Sequence, residues 1–307
     1  MPRSNRTIYI ALASNIAIAV TKFIAGTVTK SSAMTSESVH SLVDCINELL
    51  LLLGIARSNR PRDKTHPFGY GRELYFWSFI VSLLILGLGA GVSFYQGIVH
   101  LNRPTLNGNL ITNYIVLLFS FVFDGISFLV SLRQFNAIRG EQDFWTAIRQ
   151  SKDPASFIIL FEDGAAVTGV VIVFACLLTG HFLNNPYFDG IASLLVGILL
   201  TLSSAALARE CRGLLMGEGI SSQTEKTIKA MIKVNPNVTG IFRMFSLYES
   251  PEEVLLVLVI AFRPELTTIQ INDTITGIKK EIKAQFPKIS YIIIQPQDDS
   301  EGALSFS

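Results

Sequence analysis

The first two-thirds of the chain is patterned as long apolar runs separated by polar connections. Six runs, near Thr7–Val28, Ser32–Ile55, Tyr75–Val99, Leu110–Leu132, Ala155–Leu178 and Tyr187–Leu207, each reach the roughly 20 residues that a helix needs to cross about 30 Å of hydrocarbon. After "ARECRGLLMGEG" the hydropathy falls, and Gly217–Gly219 reads as a linker. Beyond it "SSQTEKTIKAMIKV" sets Ile228, Met231 and Ile232 on one helical face behind a Ser/Thr start. "VTGIFRMFSLYES" and "EEVLLVLVIAF" are β-branched and aromatic runs flanking a Ser-Pro turn, a hairpin signature. A second helix follows with Ile271, Ile275, Ile278 and Ile282 on one side, and "ISYIIIQP" closes as a strand. The pattern predicts an all-α membrane domain of six helices over 1–212, then a small α+β domain of order αββαβ over 213–307.

Composition agrees. Of the 307 residues 50% are hydrophobic and only 16% charged, against about 25% charged in soluble domains. A net charge of +1 with no clustered basic face gives no case for nucleic acid. The start has basic residues ahead of an apolar stretch, as a signal peptide has. That stretch is long and lacks a convincing cleavage site, so it reads as a retained first span. Cys45, Cys176 and Cys211 form no CxxC pair and read as buried thiols. Gly87 and Gly91, four apart in the third span, permit close helix contact.

Charge then sets orientation. "RSNRPRDKTHPFGYGRE" and "RQFNAIRGEQDFWTAIRQSKD" carry nearly all the basic residues of the membrane half, and the alternate connections carry almost none. By the positive-inside rule both termini face the cytoplasm. The housing is the cell membrane in a bacterium or an organelle membrane in a eukaryote.

The second span is interrupted by Glu37, His40, Asp44, Asn47 and Glu48. An ionisable side chain at mid-membrane costs about 2.5–3.5 kcal/mol on insertion scales and marks an ion path by default. His40 and Asp44, four apart, share one face and offer an imidazole and a carboxylate to a divalent ion such as Zn²⁺. The fifth span adds Asp163 and its neighbour Glu162; packed beside the second, it would bring Asp163 to the pair. The competing reading is a His40–Asp44 pair that only locks helix register. Asp124 in the fourth span is either a proton relay or a helix-contact hydrogen bond, and Lys22 is expected to snorkel to the outer interface. His100 and His181 lie at outer helix ends and read as bystanders.

With "ESVHSLVDCINELL", "DKTHPFGYGRELYF", an Asp-bearing fifth span and a terminal αββαβ domain in view, the chain resembles the cation diffusion facilitator family over almost its whole length. The details "GAGVSFYQG" and "LFEDGAAVTGV" look most like the branch containing the animal mitochondrial zinc transporter. The resemblance implies a six-helix transporter working as a homodimer and moving Zn²⁺ or a similar cation out of the cytoplasm in exchange for protons. The second domain, a small two-layer unit of a kind that often gains stability by self-association, reads as a dimer brace. His40, Asp44 and Asp163 match the family's transport ligands, whereas the position of the usual fourth ligand is Ile159, which cannot ligate. Glu162, Asn47 or a water would complete the shell, and an oxygen-richer shell also admits Mn²⁺, Co²⁺ or Fe²⁺. Asp63 and His66 match a second metal site of some relatives, but Tyr70 replaces its later His, and "HPFGYG" also reads as a tight turn. No histidine falls in the second domain, which argues against metal clustering there. No resident cofactor is implied.

Two other classes compete. A membrane metallohydrolase would need a placed general base or nucleophile, and no HExxH motif occurs. A transport-inactive scaffold or metal sensor is kept open by Ile159.

Overall fold

The structure is a computed structural model, and it describes residues 5–104, 110–140 and 143–297. The chain divides into two units: Met1–Arg57 with Glu73–Arg212, and Ser58–Arg72 with the residues from Gly213 onward.

The first unit is a helical bundle. Its elements are α1 (Asn5–Thr29), α2 (Ser32–Ser58), α3 (Arg72–Leu84) running through a π-helical turn (Ile85–Ala90) into α4 (Gly91–Asn102), α5 (Leu110–Arg139), the short α6 (Phe144–Gln150), α7 (Pro154–Leu183) and α8 (Tyr187–Met216). Among the described residues, five helices are long and apolar enough to span a membrane, α3 to α4 counting as one, and α1 adds a shorter apolar stretch, Asn15–Thr29. Phe119, Val122, Phe123 and Ile126 of α5 are exposed. Such side chains are at home only against lipid, so the protein is a multi-pass membrane protein. The helices outrun the apolar spans because polar turns at their ends continue the backbone hydrogen bonding.

Local chemistry sets the helix ends. α7 begins at Pro154 behind Asp153, whose carboxylate accepts from the Ala155 amide, and ends at Asn184 in the left-handed region. The start of α2 is capped from another helix. Asp189 of α8 accepts from the Ser32 amide (2.6 Å), the Ala33 amide (3.3 Å) and the Ser31 hydroxyl (2.6 Å). A carboxylate there satisfies orphan N–H groups and complements the helix dipole. His100 is buried, with Nε2 3.5 Å from Asp189 Oδ2.

Close helix contact in the third span falls at Gly97 rather than at Gly87 and Gly91. A Cβ at Gly97 would lie 2.7 Å from Leu194 and 3.0 Å from the Gly190 carbonyl, whereas one at Gly87 would meet nothing within 4 Å. Gly87 instead lies within the π-helical turn, where the altered winding rotates it off the packed face.

The second unit is the expected αββαβ layer pair. α9 (Ser222–Lys233) and α10 (Thr268–Gln285) cover one face of a sheet ordered β1 (Val238–Ser250), β2 (Glu253–Phe262), β3 (Ile289–Pro296). β1 and β2 pair antiparallel across the Pro251–Glu252 turn, and β2 and β3 pair parallel through the α10 crossover. Alternate residues Val254, Leu256, Leu258 and Ile260 meet Ile228, Ile232, Ile278 and Ile282 in the core. α10 opens with a capping box between Thr267 and Gln270. The connection 58–72 groups with this unit rather than with the bundle that it joins. Arg62 pairs with Glu253 at 2.6 Å and stacks over Tyr291, Phe68 meets the edge of the same ring, and Arg72 pairs with Glu249 at 3.1 Å.

Candidate metal centre in the membrane

The site grows from the stripe on α2. His40 is 2% exposed and its Nδ1 lies 3.6 Å from Asp44 Oδ1, beyond hydrogen-bond reach. Both ring nitrogens of His40, Asp44 Oδ1 and Asn47 Oδ1 are buried with no hydrogen-bond partner. Buried polar atoms are nearly always partnered, so such atoms of ligand chemistry in a row along one helix face are a strong feature of the fold.

The fifth span contributes two adjacent carboxylates that point apart. Glu162 accepts from Asn47 Nδ2 at 2.7 Å and so faces α2. Asp163 accepts from Ser127 at 3.0 Å and from Ser131, and so faces α5. Consecutive helical residues are about 100° apart, so one helix cannot present both to the same neighbour. Among the described residues no three His, Cys, Asp or Glu side chains are grouped to hold a metal. The structure thus brings together His40 with Asp44 and Asn47 with Glu162, and holds Asp163 on α5.

Lys22 does not snorkel. It is fully buried, and its ammonium lies 3.3 Å from Glu37 Oε2, 3.3 Å from Asp124 Oδ2 and 3.0 Å from Ser41 Oγ. Two carboxylates from neighbouring helices hold it inward, and this also gives Asp124 its partner. Toward the other end of α2, Asn15 donates to Glu48 at 2.7 Å. The residues that sequence reasoning missed are Lys22 as an ion-pair centre and Ser127 with Ser131. The second pair carried a signal, two hydroxyls four apart in an apolar span.

The loop residues Asp63 and His66 do lie together, at 3.4 Å, but both Asp63 oxygens are engaged. Oδ1 accepts from the Thr65 amide, the Thr65 hydroxyl and the His66 amide, and Oδ2 from the Tyr70 hydroxyl at 2.5 Å. The Tyr70 hydroxyl above all holds the Asp63 carboxyl well below the usual carboxylate range, and in return the phenol is pushed up. As built, this is a hydrogen-bonded turn with its acceptors filled.

Residues 8–216 match the cation efflux transmembrane domain. The chain belongs to the cation efflux family. Among its cation efflux relatives, the human "Proton-coupled zinc antiporter SLC30A9, mitochondrial" is 35% identical over 222 residues, covering 72% of this chain and 39% of the relative. "Metal tolerance protein C4" of Arabidopsis thaliana is 31% identical over 256 residues, 82% of this chain and 54% of that protein. "Manganese efflux system protein MneP" of Bacillus subtilis is 25% identical over 300 residues, 95% of each. The chain therefore spans about two-fifths of the human relative's length.

Proposed function

We propose that the protein is a divalent metal cation transporter, with Zn²⁺ its leading substrate, that exports the ion from the cytoplasm in exchange for protons. The observation that carries this reading is the row of buried, unpartnered ligand atoms on α2: His40, Asp44 Oδ1 and Asn47 Oδ1. A divalent ion supplies the missing partner for all of them. In the loaded state His40, Asp44 and Asp163 ligate, with Asn47 and Glu162 completing the shell that Ile159 leaves open. Drawing Asp163 over breaks its hydrogen bonds to Ser127 and Ser131, each about 1.5–3 kcal/mol to a charged acceptor, and binding a divalent ion works against that cost.

Exchange follows from the ligand chemistry. Imidazole and carboxylates bind metal only when deprotonated, so loading expels protons and protonation expels the ion. The human relative, by name a proton-coupled zinc antiporter, supports proton exchange. The family's homodimer is supported by the row Phe245, Val257 and Ile293 on the sheet face away from the helices, where Phe245 and Ile293 are exposed. Asp44→Ala and Asp163→Ala are each expected to abolish metal-driven proton flux in proteoliposomes while the dimer persists on size exclusion. Undiminished flux in both variants overturns the assignment.

A second reading is a manganese-type exporter. It is favoured by the single imidazole among oxygen donors, an oxygen-rich set that suits harder ions, and by the likeness to the Bacillus protein. Flux across a panel of Zn²⁺, Mn²⁺, Co²⁺ and Fe²⁺ separates the two.

A further inference from the structure

Four helices meet around Lys22. The residue belongs to α1, and its ammonium holds Glu37 and Ser41 of α2 and Asp124 of α5. α7 closes the fourth side at Gly169, where a Cβ would lie 2.6 Å from Glu37 Oε1, so the absent side chain makes room for the carboxylate. Glu37 is fully buried, and that oxygen has no hydrogen-bond partner. The cluster is thus an ammonium set between two carboxylates, with spare acceptor capacity, in the dry interior of the bundle.

Its position relative to the α2 stripe is what matters. Glu37 precedes His40 by three residues, which puts them on adjacent turns of one face, and Ser41, bonded to Lys22, is the neighbour of His40. Charges interact far more strongly there than in water, because little solvent screens them.

We propose that the Lys22–Glu37–Asp124 cluster sets how tightly the membrane path holds its cation, Lys22 acting as a tethered counter-ion that keeps the site weak enough to let the ion leave. Passage through a membrane requires a site that binds well enough to load and poorly enough to release. Without the ammonium, two further carboxylates beside the His40–Asp44 pair would deepen the well and trap a divalent ion. With it, those carboxylates are satisfied by a cation that cannot diffuse away. Lys22 and Glu37 are therefore positioning residues that act through the ligands, with opposite signs.

This inference rests on the transport reading, and its test is a charge cycle on the full-length protein. Zn²⁺ affinity is measured by equilibrium dialysis against zinc chloride, and KM and Vmax are measured in proteoliposomes. Lys22→Gln leaves both carboxylates uncompensated and is expected to tighten Zn²⁺ binding by about tenfold or more while lowering Vmax. Glu37→Gln removes a negative charge and is expected to weaken binding with a higher KM. The double variant Lys22→Gln/Glu37→Gln removes one charge of each sign and should return affinity to within about threefold of the parent. Lys22→Arg, which keeps the charge, should keep the parental KM.

A bond that only braces the helices would lower Vmax in every variant and leave KM in place, and that result overturns the proposal. So does a Lys22→Gln protein whose affinity is unchanged or weaker. If Lys22→Gln does not fold, Glu37→Gln and the double variant decide: a weakened Glu37→Gln with restoration in the double variant supports the proposal, and no restoration overturns it. A parent protein that binds no Zn²⁺ overturns the transport reading itself, a different result from any of these.

Discussion

Asp163 and Glu162 are neighbours in sequence with different surroundings. Glu162 meets the amide of Asn47, and Asp163 meets the hydroxyls of Ser127 and Ser131. Each hydroxyl steadies the carboxylate in a place where no water can, and each competes with a metal for the same lone pairs. Removing both hydroxyls lowers the cost of turning Asp163 toward α2. The Ser127→Ala/Ser131→Ala double variant is therefore expected to lower the Zn²⁺ dissociation constant about fivefold or more, as measured by equilibrium dialysis. An unchanged constant would show that Asp163 takes no part in holding the ion. The sequence marked both carboxylates as out of place in an apolar span. It held no information on which neighbour each would find.

The connection 58–72 behaves as an element with its own internal bonding, although between Ser58 and Arg72 it contains no helix or strand. Asp63 collects two amides and two hydroxyls, while Arg62, Phe68 and Arg72 attach the segment to β1, β2 and β3. Tyr70 supplies the hydrogen bond that most depresses the Asp63 carboxyl. A group whose folded value lies below its unfolded value, about 3.9 for Asp, contributes order that is present above that unfolded value. The contribution is lost as pH falls through the folded one. In the parent the turn should thus stay ordered at pH 4–7 and loosen only in stronger acid. Tyr70→Phe raises the folded value toward the ordinary one, so loosening should begin nearer pH 4. Pepsin cleavage of the loop, followed across acid pH, reads the shift, and identical profiles would mean that the phenol does not hold the turn. The "HPFGYG" string announced a turn; that its tyrosine caps an aspartate depended on how the backbone folds back on itself.

At the scale of the whole molecule, the asymmetry of basic residues leads to the expectation, by the positive-inside rule, that both termini lie on the cytoplasmic side. In a variant otherwise stripped of cysteine, Lys64→Cys is expected to react with a membrane-impermeant maleimide only in inside-out vesicles, and His181→Cys only in right-side-out ones; both positions are exposed. The reverse pattern would invert the proposed direction of transport. What the chain's order of residues determined by itself was everything governed by local periodicity: the apolar spans, the stacking of His40 on Asp44, and the αββαβ order with Ile228, Ile232, Ile278 and Ile282 facing inward. Those follow because residues three or four apart share a helix face and alternate residues share a strand face, whatever lies opposite. Only the tertiary structure decided that Lys22 turns inward to Glu37 and Asp124, that Glu162 and Asp163 face different helices, and that Gly97 rather than Gly87 makes the close contact. The rotation of one helix against the next is set by all the side chains packed between them at once, and no single segment contains that sum.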